Sequence, residues 1–230
     1  YASPDTAAIL DENMQKFEFF SAKETNAPIQ IKPHTSSTKL KLINQVTTVT
    51  ESYKNTHCNL DVEVLPQNTL KLYGCLAQTP EPKTMKLSVP DPILYAKQTI
   101  RTLLRENQIT LNGDIIIGRT PNDAKVIATI ASEELIVLIK EMLQNSNNLY
   151  ASALTKHLGY AVTHEGTNKQ GVFAMCKILS KFTTLNCSEF NLADGVGTRY
   201  NLISAAQFVN LLHAVYQDKS LYQPFLNTLP

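Results

Sequence analysis

Two short stretches carry side chains whose types and spacing could do chemistry. The first is Ser146-Asn147-Asn148, a hydroxyl and a carboxamide with one residue between them. Held where one helix ends and another begins, such a pair can point into one cleft, the geometry of a catalytic loop. The second is Asp194-Gly195-Val196-Gly197-Thr198-Arg199-Tyr200-Asn201, in which two glycines precede an arginine. Two glycines close to a positioned arginine suggest a tight loop next to a ligand. Each stretch also has a plain structural reading. Ser and Asn gather at helix ends as caps, and a glycine turn with a surface arginine is common.

The elements around these stretches follow from periodicity. Ser132, followed by Glu133 and Glu134, predicts the start of a helix whose apolar face carries Leu135, Leu138, Ile139 and Met142, and which delivers Ser146 at its end. Leu149–Leu158 predicts the next helix, stopped by Gly159, and Phe173–Phe182 another. Ser204 caps a last helix through Phe208, Leu211, Leu212 and Val215.

Upstream, residues 5–20 predict a hairpin, and residues 21–78 stay β in pattern, with Ile29/Ile31, Leu40/Leu42, Leu60/Val62/Val64 and Leu70/Leu72 on alternate positions and little helix. At Thr79-Pro80-Glu81-Pro82 the composition changes. A strand near Met85–Val89 leads to Asp91-Pro92, a strong helix start, and that helix should end near Asn107. Returning strands are expected at Ile109–Leu111, Asp114–Gly118 and Lys125–Ile130. Residues 79–120 are mixed α/β and belong with the opening hairpin, so the sheet module between them reads as an insertion.

Composition sets outer bounds. With 230 residues and 43% hydrophobic content the chain can bury a substantial core, and its near-balanced charge of +1 without basic clusters argues against a nucleic-acid partner. No apolar run is long enough to span a membrane. The opening Tyr1-Ala2-Ser3-Pro4 reads as a processed or excised beginning. The cysteines, Cys58, Cys75, Cys176 and Cys187, show no C-x-x-C spacing, and no H-E-x-x-H occurs, so a metal site has little support. Cys58 and Cys75 flank two strand-like runs and are read either as a disulfide across a hairpin, which would imply an oxidising compartment, or as two buried thiols. Pairing of Cys176 with Cys187 is left open.

The segment Lys140–Ala151, around Ser146-Asn147-Asn148, resembles the S-x-N segment of the class C penicillin-binding proteins, the D-alanyl-D-alanine carboxypeptidase/endopeptidase family. Asp194–Ser204 is similar to that family's D-G-S-G-L-S-R-x-N-L stretch, one residue shorter and with Val196 where the family has a serine. Tyr1–Asn13, His57–Val62 with Gly74–Leu76, and Phe225–Pro230 extend the likeness over essentially the whole chain.

The resemblance implies a multidomain α+β fold: part of a serine β-lactamase-like transpeptidase domain with two inserted β-rich domains, one nested in the other. Mapped on this chain, residues 1–28 and 79–124 form the first inserted domain, 29–78 the nested one, and 125–230 part of the catalytic domain. It further implies a periplasmic serine-type enzyme that needs no cofactor, cleaves D-Ala-D-Ala in peptidoglycan stem peptides through an acyl-enzyme, and binds β-lactams. Ser146 and Asn148 would be catalytic, Asn147 would point away, and Arg199, Asp194 and Asn201 would serve the substrate pocket, the last two by holding the loop.

Such a site also needs S-x-x-K and K-T-G. The S-x-x-K match at Ser36-Ser37-Thr38-Lys39 lies in a polar break between β runs rather than at a helix start, and chance produces about one such match in a chain of this composition; it is rejected. No K-T-G occurs. The chain is therefore expected to be an internal fragment, inactive alone, with uncovered apolar surface that favours self-association or a homo-oligomer. The alternative is a non-catalytic peptidoglycan-binding or interaction module of the same family.

Overall fold

The computed structural model describes residues 3–7, 9–35 and 38–230, with the backbone alone for 55–57. Ser36 and Ser37 of the rejected match, Tyr1-Ala2 and Ala8 lie outside the described residues. The chain divides near residue 121 into two compact units.

The first unit is built on two three-stranded sheets. One has β1 (Met14–Phe20) at its centre, antiparallel to both β2 (Gln30–Pro33) and β6 (Lys83–Ser88). The other has β5 (Thr69–Ala77) at its centre, parallel to β3 (Lys41–Val49) and antiparallel to β4 (Leu60–Leu65). All three strands of the second sheet therefore come from the chain between β2 and β6. Alternation buries Phe17 and Phe19 on β1, and Leu70 and Leu72 on β5, while Lys16 and Lys71 face outward. These side chains join Ile29, Val46, Val89 and Tyr95 in one apolar core.

Two expectations change here. Residues 5–20 do not make a hairpin: Asp11–Asn13 form a single 3-10 turn with all three residues at positive φ, and β1 takes its partners from farther along the chain. The β-patterned middle also contains a helix, α1 (Glu51–His57), capped by the Thr50 hydroxyl, because β3 and β5 are parallel and parallel neighbours need a crossover. The helix α2 (Pro92–Glu106) starts at the expected Asp91 cap. That start is fastened to the β4–β5 turn by buried Asn68, whose carboxamide bonds both the N–H and the carbonyl of Asp91.

Residues 109–134 form neither the expected strands nor a helix, and Ile127 and Ile130 stand almost fully exposed. A strand is defined by its ladder partner, and among the described residues none lies beside this stretch.

The second unit is helical: α3 (Leu135–Gln144), α4 (Asn148–Thr163), α5 (Asn168–Phe182), α6 (Ala205–Gln217) and α7 (Lys219–Leu226). Ser132 does not cap α3. Its hydroxyl donates to the Glu133 carbonyl, and the helix begins three residues later behind Glu134. Gly159 does not stop α4 either; the helix runs through it and ends on His164 in the left-handed region. The glycine serves packing instead, since a Cβ there would collide with the Gly171 backbone of α5. Ser204 caps α6 in a full capping box with Gln207.

Both cysteine pairs are disulfides. Cys58–Cys75 ties the start of β4 to β5, and Cys176–Cys187 ties α5 to the loop after it, with Cα separations of 5.9 and 5.8 Å.

Candidate functional site

Ser146 owes its position to how α3 stops. Asn145 ends the helix, the Asn147 N–H returns to the Met142 carbonyl at 2.9 Å, and the residue between them is driven to φ 51°. This is the long bond of a Schellman cap, whose left-handed position usually falls to glycine because a Cβ is disfavoured there by about 1 kcal/mol. Here a serine occupies it. Asn147 then caps α4, its carboxamide oxygen accepting from the Tyr150 N–H at 3.2 Å, and buried Leu149 pins the first turn. The middle residue of the motif is thus consumed in capping. Ser146 and Asn148, on either side of it, have exposed side chains.

The second stretch closes on itself. The Asp194 carboxylate accepts from the N–H groups of Val196, Gly197 and Thr198 at 2.9, 2.9 and 3.3 Å, and from the Thr198 hydroxyl at 2.5 Å. Asn201 completes the ring: its carboxamide N–H bonds the Asp194 carboxylate and carbonyl, and its oxygen accepts from the N–H groups of Ala193 and Asp194. Partial burial pushes the Asp194 carboxyl up. The donors from Thr198, Gly197 and Val196 outweigh this and hold it below the ordinary carboxylate range. Gly197, at φ 87°, makes the bend.

The loop rests on α4. A Cβ at Gly195 would overlap the Thr155 hydroxyl and approach the Ala151 carbonyl. Ala151 and Thr155 lie three and seven residues beyond Asn148, on the helix face that Asn148 begins. The loop therefore sits roughly 5–10 Å along the axis from Asn148 at 1.5 Å per residue. Arg199 is exposed, its guanidinium lying 5.1 Å from the Tyr200 ring centroid and donating to the Tyr200 hydroxyl at 3.1 Å.

All five singled-out residues thus lie in one unit, two at the head of α4 and three on a loop seated on its side. Sequence reasoning missed Thr155. Its hydroxyl bonds the Ala151 carbonyl in the same helix, a common arrangement that gives no sign in the sequence of the glycine packed against it.

Comparison with known proteins bears on the family and the fold. D-alanyl-D-alanine carboxypeptidase DacB of Haemophilus influenzae is 27% identical over 221 residues, which are 95% of this chain and 46% of that protein. A D-alanyl-D-alanine carboxypeptidase of Actinomadura sp. (strain R39) is 31% identical over 149 residues, 63% of this chain and 28% of that protein. The chain thus spans about half the length, or less, of the curated relatives it matches. Crystal structures of penicillin binding protein 4 (dacB) from Haemophilus influenzae superpose with TM-scores of 0.83 and 0.81, at 25% and 24% identity. They cover 98% and 96% of this chain and 49% and 51% of theirs, the second in complex with a β-lactam. The fold is α+β, like theirs. Residues 1–230 match the D-Ala-D-Ala carboxypeptidase 3 (S13) family throughout, and the chain belongs to it.

Proposed function

We propose that these residues are part of a periplasmic serine-type D-Ala-D-Ala carboxypeptidase/endopeptidase that cleaves peptidoglycan stem peptides through an acyl-enzyme and is acylated by β-lactams. The observation that carries this reading is the α3–α4 turn, which in a member of this family spends its middle residue on capping and leaves a hydroxyl and a carboxamide exposed on either side. In the proposed reaction Ser146 passes a proton between a lysine base and the leaving amine, and Asn148 hydrogen-bonds the substrate backbone. Arg199 meets a carboxylate of the stem peptide, on a loop held by Asp194 and Asn201. The two disulfides support an oxidising compartment.

The proposed domain plan assigns residues 1–28 and 79–124 to a first inserted domain, 29–78 to one nested within it, and 125–230 to the catalytic domain, with the strand at Gln30–Pro33 joining the outer sheet. The attacking serine with its lysine and the K-T-G strand are assigned to flanking sequence, where the exposed apolar stretch 109–134 would find strand partners. The 230 residues alone then form no acyl-enzyme, because binding groups cannot replace a missing nucleophile.

Fluorescent penicillin tests both halves. The 230-residue chain is expected to remain unlabelled, and a longer chain with S-x-x-K upstream and K-T-G downstream to label, with Ser146→Ala and Asn148→Ala each slowing acylation by about 10²-fold or more. Labelling of the short chain, or wild-type rates in both variants, overturns the reading.

A further inference from the structure

The first unit holds a cavity of about 500 Å³ lined by Asp11, Glu12, Lys16, His34, Lys86 and Tyr95 among others, and none of these residues has a part in the chemistry above. Three independent features mark it as more than a crease.

Lys16 and Lys86 stand directly opposite each other in the antiparallel β1–β6 ladder. Like charges in that position oppose sheet formation; Lys86 is offset by a 3.4 Å ion pair with Glu12 of the preceding turn, and among the described residues no ion pair of Lys16 is seen. His34 is held next to them by its N–H bond to the Lys16 carbonyl at 3.0 Å. Two lysines and a histidine thus lie side by side in the lining.

Asp11 and Glu12 reach the cavity from the turn Asp11–Asn13, in which three consecutive non-glycine residues sit at φ 51°, 57° and 50°. Such a run is disfavoured by about 1–2 kcal/mol per residue and persists only when its surroundings fix it. Here they do: the buried Asn13 carboxamide donates to the Pro4 carbonyl and accepts from the Leu10 N–H, and the Ser3 hydroxyl holds the Glu12 carbonyl. The outcome is a carboxylate set against the cavity.

Beneath it lies Tyr95, buried in the core, whose hydroxyl donates to the Asp11 carboxylate at 2.6 Å. That bond fixes one carboxylate oxygen from inside the protein and orients the group.

We infer that this cavity is a second, non-catalytic binding site for a small zwitterion, the carboxylate of the ligand lying by Lys16, Lys86 and His34 and its ammonium against Asp11. The volume is in the range of small-ligand pockets, and a lining that carries groups of both signs suits an ammonium and a carboxylate carried on one short frame. A free amino acid and the end of a short peptide share that chemistry. The site is independent of the Ser146 reading and stands or falls separately.

The test is calorimetric and NMR titration of the 230-residue chain with alanine, with the dipeptide Ala-Ala, and with Ala-Ala acetylated at its N-terminus or amidated at its C-terminus. Saturable binding of alanine or Ala-Ala is expected, with shifts centred on residues 11–16 and 86; preference between the two distinguishes a free amino acid from a peptide end. Either blocking group should weaken binding at least tenfold. Lys16→Glu, an exposed position, should also weaken it at least tenfold with an unchanged circular dichroism spectrum, and Lys97→Glu on α2 should not. Absence of saturable binding, equal binding of the blocked peptides, or wild-type binding by Lys16→Glu overturns the inference.

Discussion

Asp194 and Asn201 grip each other across the loop between them: the Asn201 carboxamide donates to the Asp194 carboxylate at 3.1 Å and accepts from the Asp194 N–H at 3.2 Å. The ring they close depends on the carboxylate being charged. Its folded pKa is lowered, so its contribution to stability is present above the ordinary value of 3.8 and is lost as pH falls through the lower folded value. Asp194→Asn should cost about 1–3 kcal/mol in a denaturant melt at pH 7, and the acid dependence of the Val196 and Gly197 amide resonances should vanish.

A glycine in place of Ser146 should stabilise the protein. The serine occupies a left-handed cap position, and removing its Cβ relieves about 0.5–1 kcal/mol. Ser146→Gly is expected to unfold at higher denaturant than Ser146→Ala, while both lose acylation equally in an active chain.

Gly195 should tolerate no side chain. Gly195→Val places carbon where the Thr155 hydroxyl stands, so the loop must lift from α4. We expect a loss of about 1–3 kcal/mol in the same melt, with helical circular dichroism unchanged, and partial rescue by Thr155→Ala, which clears the overlapping hydroxyl.

Of nine tyrosines, Tyr95 should titrate late, with its pKa pushed up to about 12 by burial and by the Asp11 carboxylate that accepts its hydrogen bond. A raised folded pKa means that the protonated form is favoured in the fold. The associated stability is complete below the ordinary value of 10.0 and is lost as pH rises from about 10 to about 12. Absorbance at 295 nm should show one late phenolate, absent in Tyr95→Phe.

Local signals carried most of what was legible in the sequence. The Asp91-Pro92 start, the Ser204 cap and the alternation on β1 and β5 are written in adjacent residues, and the structure has them. Signals that depend on a distant partner misled. Gly159 looks like a stop until α5 is placed against it, and the apolar runs at 109–130 look like strands whatever lies beside them. Asp11–Asn13 reads as an ordinary polar turn, since nothing local reveals that Asn13 will be buried and bonded to Pro4. At the candidate site, residue types were legible and support was not. Ser146 and Arg199 stand out by motif, whereas the seat of the loop is Thr155, a residue of no motif.

That seat couples two properties that selection would otherwise adjust separately. The head of α4 carries Ser146-Asn147-Asn148 and its flank carries the Arg199 loop, while Gly159 on the same helix is locked against α5. A change that rotates α4 moves both, so variants that displace the loop through the helix should also disturb the turn that presents the hydroxyl. Changes confined to the exposed side chains of Arg199 and Tyr200 can then be made without turning the shaft on which they are mounted.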